Sequence, residues 1–175
     1  HERKGAQFLI PAFAQARDAA PDARLVIAGP DEGMLAELKA LAAAHGVGER
    51  VTFTGMLSGD DRLAALSAAD LFALPAVGEG FSMAVLEALA CGLPVVLTPG
   101  CHFPEAEQAG AGVVVERAVE PLAAALRALL SDASRRTEMS RAARSLVERC
   151  YTWSQVVARL DDAYRAAIAD RDGAA

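Results

Sequence analysis

The sequence predicts an α/β fold, a parallel sheet with helices on both faces that ends in a helical tail. Three observations predict it. Short runs rich in Val, Leu and Ile alternate with longer stretches whose apolar residues recur every three or four positions, the pattern of βαβ units. The runs are bounded by Gly and Pro, which end ladders and open turns. The run at 71–74 is continuously apolar, as expected of a strand covered on both faces.

After the charged opening His1–Gly5, the stripe Phe8, Leu9, Ala12, Phe13 and Ala16 marks a first helix, in which Pro11 predicts a late start or a kink. Residues 23–28 form a short strand closed by Gly29-Pro30, followed by a helix through Leu35, Leu38, Leu41 and Ala42. Residues 50–55 are a second strand. Ser58 to Asp61 has capping-box spacing ahead of a helix through Leu63 and Leu66. Strands at 71–74, 93–97 and 112–115 follow, with a short helix near 102–110 before the last. From Pro121 onward the chain reads as helix. Its stripes are Leu122, Leu126, Leu129 and Leu130, then Met139, Ala142, Ala143, Leu146 and Val147. The last is Val156, Leu160, Ala163, Tyr164 and Ala167, behind a Thr152–Gln155 capping box. Five parallel strands joined by right-handed crossovers make a Rossmann-like sheet.

The most informative stretch is 71–97, LFALPAVGEGFSMAVLEALACGLPVVL. Pro75 ends the strand because it cannot donate to a ladder. Gly78 and Gly80 permit unusual dihedrals and close approach of a ligand to the main chain. Ser82 is the expected N-cap, and the N–H groups beyond it form an anion site of the kind phosphates occupy. Gly92 and Pro94 stop the helix. Glu87, in the midst of Val85, Leu86, Ala88 and Leu89, must meet water, a cation or a hydroxyl-rich ligand, because an unpaired buried carboxylate costs several kcal/mol, very roughly. Nothing basic lies within one helical turn of it in sequence, so a pair of sugar hydroxyls is one expected partner and a solvated helix edge the other.

Composition narrows the function. The chain is 53% hydrophobic over 175 residues and carries a net charge of −6, which argues against a nucleic-acid partner. No apolar stretch approaches the ~20 residues of a membrane span, and no signal-peptide pattern appears. The three cysteines, Cys91, Cys101 and Cys150, lack a C-x-x-C, which fits free thiols in a reducing compartment. His1, His45 and His102 have no metal-ligand spacing, so no metal site is expected. His102, in a loop, is more often a bystander than a base. Without an initiator methionine, the chain reads as a piece of something longer.

EGFSMAVLEALACGLPVV resembles the signature of the retaining glycosyltransferases of family 4, which have the two-domain GT-B fold. The resemblance covers nearly the whole chain and implies the C-terminal, donor-binding half of such an enzyme, a single domain over 1–175 with its first strand truncated and the acceptor half absent. It implies that the first glutamate of E-x7-E, Glu79, reaches the donor sugar and that the second, Glu87, binds the ribose. The loop and helix start, Gly80, Phe81, Ser82 and Met83, would hold the diphosphate. The family's EGFG turn carries glycine where this chain has Ser82. Lys4 of the Lys4-Gly5 step matches the family's diphosphate lysine, although on the residues alone a solvated terminal lysine is the plainer reading. The family's arginine would fall upstream of His1. VTFTGML resembles a strand end where the main chain of Gly55 and Met56 faces the nucleobase, with Gly29 on the same rim. Thr98, Pro99, Gly100, Pro104 and Glu105 match a turn read as structural.

The function implied is metal-independent transfer of a hexose, with retention, from a UDP- or GDP-linked sugar to a sugar or lipid-linked acceptor hydroxyl. No cofactor is implied beyond that donor, and the isolated piece would be inactive. The location implied is cytoplasmic, with the inner membrane face open to the full-length protein, although no basic amphipathic helix argues for it. Two rivals stand beside this reading. One is another GT-B enzyme such as a sugar-nucleotide epimerase or a phosphorylase, the latter disfavoured because neither Lys4 nor Lys39 sits in an apolar setting suited to pyridoxal phosphate. The other is a nucleotide-binding regulatory module, which would bind free nucleotide with no preference for the sugar-linked form.

Overall fold

The computed structural model describes residues 1–173, with side chains through 169. A 3₁₀ turn, Glu2–Lys4, leads into α1 (Ala6–Ala16), β1 (Leu25–Ala28), α2 (Leu35–Ala44), β2 (Val51–Gly55) and α3 (Gly59–Ala68). Then come β3 (Phe72–Leu74), α4 (Met83–Ala90), β4 (Val95–Leu97), α5 (Glu105–Gln108) and β5 (Gly112–Val114). Three helices finish the chain: α6 (Val119–Leu130), α7 (Ala133–Cys150) and α8 (Trp153–Gly173).

All five expected strands are present, and every observed pairing is parallel. The single sheet expected from the alternation is instead two ladders, β1–β2 and β3–β4–β5, with no bond recorded between them among the described residues. One core still spans both. α1 packs along α6, and their buried Leu9, Ile10, Phe13, Leu122, Leu126 and Leu129 sit against Leu25 and Ile27 on one side and Ala73 and Val96 on the other. A second core, under α4 and α7, buries Val85, Leu89, Leu93, Val95, Leu97, Phe103 and Leu146.

Most boundaries follow their sequence signals. β3 stops one residue before Pro75, and α4 ends at Cys91 with Gly92 left-handed. Helix α1 begins at Ala6 and runs through Pro11, so the late start does not occur. Of the capping expectations, Thr152 does accept from the Gln155 N–H at 3.4 Å. Ser58 and Ser82 stand at N-cap positions in extended conformation but make no side-chain cap. A side chain not singled out in the sequence instead serves the start of α2. Asp31 Oδ1 accepts from the N–H groups of Gly33, Met34 and Leu35, and those bonds, the Leu35 one foremost, hold its pKa below the usual value. The expected stripe of α8 also differs: Val156, Leu160 and Tyr164 are exposed, because α8 touches little beyond the end of α7.

Gly5 carries the tightest constraint. It is left-handed at φ 80°, and a Cβ there would lie 2.1 Å from the Pro75 carbonyl oxygen. Gly80 has no neighbour within 4 Å of a Cβ and no left-handed φ. Gly5→Ala is therefore expected to lower unfolding free energy by about 2–4 kcal/mol, strain plus overpacking, while Gly80→Ala costs less than about 1 kcal/mol. Urea unfolding of the two variants checks this, and equal losses would contradict it.

Candidate functional site

The site lies where β3 ends and α4 begins, at the carboxyl rim of the strands. Residues 75–79 leave β3 and lie between two other segments. On one side, the Val77 N–H donates to the Arg3 carbonyl at 2.9 Å, and Arg3 Nη2 donates to the Gly78 carbonyl at 2.7 Å. On the other, Thr98 Oγ1 donates to the Ala76 carbonyl at 2.6 Å, and the Glu79 N–H donates to the Gly100 carbonyl at 3.0 Å. Gly100 has no room for a side chain, since a Cβ would lie 2.6 Å from the Ala76 oxygen. Thr98 and Gly100 thus have the structural role expected of their turn.

This arrangement brings Lys4 and Glu79 together. Lys4 Nζ lies 2.8 Å from Glu79 Oε1, and the Glu79 side chain is only 14% exposed. Lys4 is not a freely solvated terminal lysine. Its ammonium has two further donors, and Glu79 has a second oxygen, so each group keeps capacity for a ligand while holding the other.

Beyond Glu79, Phe81 packs against Phe103 and Tyr151 at centroid distances of 5.6 and 5.9 Å, which anchors the turn while leaving Phe81 half exposed. Burial first, then the nearby Glu105 and Cys150, raises the Tyr151 pKa above its usual value. Ser82 is buried, and its carbonyl accepts from Leu86. Its hydroxyl does not cap α4, so among the described residues the N–H groups of Met83, Ala84 and Val85 take no partner. These are donors suited to an anion. Met83 is exposed.

Glu87 corrects the sequence reading. The partner that no neighbour in sequence could supply comes from α3, where Arg62 Nη2 lies 3.1 Å from Glu87 Oε1. The carboxylate is neither sealed nor freely solvated, at 24% exposure beside a half-exposed guanidinium. Among the described residues Oε2 has no partner, which leaves it open to hydroxyls. A sequence scan by helical turns could not find Arg62, which is 25 residues away on another helix.

Gly29, Gly55 and Met56 form a second cluster at the ends of β1 and β2. The Gly29 N–H donates to the Gly55 carbonyl at 2.8 Å, the ladder shifts register between Ile27 and Ala28, and Met56 is exposed. His102 is left-handed at φ 50° and exposed, and its side chain makes no hydrogen bond among the described residues. No group of His, Cys, Asp and Glu among the described residues could hold a metal.

A parallel α/β domain with a lysine–carboxylate pair and unpartnered helix amides on its carboxyl rim belongs to the class that takes ligands outside the strand ends. Comparison with known proteins narrows the class. Residues 1–146 match the family described as Glycosyl transferases group 1. A GDP-mannose-dependent monoacylated alpha-(1-6)-phosphatidylinositol monomannoside mannosyltransferase of Corynebacterium glutamicum is 38% identical over 168 residues, 90% of this chain and 43% of that protein. A D-inositol 3-phosphate glycosyltransferase of Salinispora tropica is 36% identical over 95% of this chain and 36% of its own length. Among solved structures, WaaG, a glycosyltransferase involved in lipopolysaccharide biosynthesis, superposes with a TM-score of 0.78 at 28% identity, over 87% of this chain and 41% of that one. The C-terminal domain of LpcC, a group 1 protein of Francisella tularensis, gives 0.77 at 25% identity, over 87% of this chain and 82% of that one. The chain belongs to the group 1 glycosyl transferases and has the α/β architecture of a GT-B enzyme. It spans less than half the length of the curated relatives named here.

Because the Arg62–Glu87 pair is partly exposed, Arg62→Ala is expected to change unfolding free energy by no more than about 1 kcal/mol. Urea denaturation measures it, and a loss of several kcal/mol would mean a buried structural pair instead.

Proposed function

We propose that this chain is the donor-binding domain of a hexosyltransferase that moves a sugar from a nucleotide diphosphate to an acceptor hydroxyl with retention. The observation that carries the reading is the Lys4–Glu79 pair at 2.8 Å beside the unpartnered amides of α4, in a chain of this family. Lys4 and those amides meet the diphosphate and stabilise the charge it gains on leaving, a contribution often the largest in such reactions. They do so without a metal. Glu79, held by Lys4 through one oxygen, aligns the sugar hydroxyls with the other. Glu87 accepts from the ribose through its open oxygen while Arg62 fixes the carboxylate. Gly80, Phe81, Ser82 and Met83 enclose the diphosphate, and the main chain at Gly29, Gly55 and Met56 faces the base.

The relatives named as GDP-mannose-dependent make GDP-mannose the first donor to try. Their names also support a lipid-linked acceptor; an N-terminal half meets it, in a cytoplasmic protein lying at the inner membrane face. No described helix is long and apolar enough to cross a membrane. The two separate ladders support the view that a preceding strand completes the domain. In a doubly wound sheet of order 3-2-1-4-5-6, β1 and β3 would flank that first strand, and among the described residues each has an unpaired edge. Without its acceptor half, the domain binds donor weakly and does not turn over. Family membership disfavours a regulatory module or an epimerase.

In the full-length protein, Glu87→Ala is expected to weaken binding of the nucleoside diphosphate more than tenfold, about 1.4 kcal/mol, with an unchanged circular dichroism spectrum. A dissociation constant equal to the wild type's would count against the ribose role. Glu79→Ala is expected to spare the free diphosphate and impair the sugar-linked donor. Calorimetry with GDP and GDP-mannose, and with UDP and UDP-glucose, separates the two, and equal losses for free and sugar-linked forms would contradict the assignment.

A further inference from the structure

The Lys4–Glu79 pair joins two segments 75 residues apart in sequence, and something must hold their main chains in register. Part of that work is done by the bonds through Arg3, whose side chain is exposed. A second arginine reaches both segments from behind. Arg117, just past the end of β5, donates Nε to the Pro75 carbonyl at 2.9 Å and Nη2 to the Glu2 carbonyl at 2.8 Å. Its Cζ sits 4.5 Å from the centre of the Phe8 ring on α1. Glu2 opens the 3₁₀ turn that ends in Lys4, and Pro75 opens the segment that ends in Glu79.

Arg117 is half-buried, and the Pro75 oxygen it holds is the one against which Gly5 packs. A planar guanidinium can donate along two edges while a face rests on an aromatic ring. An ammonium on a flexible stem cannot do all three. We propose that Arg117 is a positioning residue for the donor site: it clamps the Lys4 turn onto the β3 exit, so that the ammonium is set before the diphosphate arrives. The ordering entropy of that turn is then lost on folding, not on binding. Among the described residues Arg117 makes no hydrogen bond or ion pair with Lys4 or Glu79, so its effect passes through the main chain of the two segments. The proposal rests on the donor-site reading of Lys4.

The test is a double-mutant cycle in the full-length protein, read as the dissociation constant for GDP or UDP, whichever the wild type binds more tightly. Arg117→Ala is expected to weaken binding at least fivefold in the wild-type background and less than twofold in the Lys4→Ala background. Arg117→Lys, which keeps the charge but not the fork, should recover little of the loss. Should Arg117→Ala fail to fold by thermal melting, Arg117→Lys takes its place in the cycle, with a loss of at least threefold expected only where Lys4 is present. If the loss persists at full size in the Lys4→Ala background, or if Lys restores wild-type affinity, Arg117 acts by charge or general stability and the proposal fails. If Lys4→Ala itself leaves affinity unchanged, or neither diphosphate binds, the donor-site reading fails first.

Discussion

A side chain at position 5 would run into the Pro75 carbonyl, and much of the site depends on that contact. The left-handed turn at Gly5 lets the first residues lie directly on the segment leaving β3. Once they do, Arg3 and Val77 exchange a backbone bond and Lys4 falls beside Glu79. The same contact starts α1 at the angle that buries Leu9, Ile10 and Phe13 against α6, so the site and the larger core share one anchor. A change that loosens the turn acts on stability and on the lysine together.

Charge is arranged on this frame in two pairs, each partly screened from water. Lys4 with Glu79 and Arg62 with Glu87 leave every carboxylate with one cation and spare acceptor capacity. Such pairs add little to stability by themselves, because desolvation and side-chain ordering offset most of the attraction. Their consequence is orientation. A carboxylate held through one oxygen presents the other in a fixed direction, which a polyhydroxyl ligand can use without first ordering the protein.

The loop around Thr98 and Gly100 completes the frame from the far side, with Cys101 donating its thiol to the Leu74 carbonyl at 3.0 Å. These are main-chain carbonyls leaving a strand edge, where no ladder partner remains, and a buried unpaired carbonyl would be costly. The residues that satisfy them come from β4's exit and, through Arg117, from β5's exit. Three neighbouring strands therefore contribute to one loop.

Strand positions, helix stripes and the glycine–glutamate turn were legible in the sequence because each depends on neighbours within a few residues: alternation, a 3.6-residue period, a proline without an N–H. Glu87 and the amides of α4 stood out in this way, and Glu79 and Lys4 through family resemblance. What the sequence could not supply is who meets whom across the fold. Arg62 opposite Glu87, Arg117 across Glu2 and Pro75, the split between β1 and β3, and the bare face of α8 all follow from three-dimensional placement of segments 25 or more residues apart, or from what fails to cover them. Local chemistry, with the family signature, determined the elements and the candidate groups. Only the tertiary structure decided their pairing, because the energy of a charge or an open carbonyl is set by the atoms that surround it and not by those next to it in the chain.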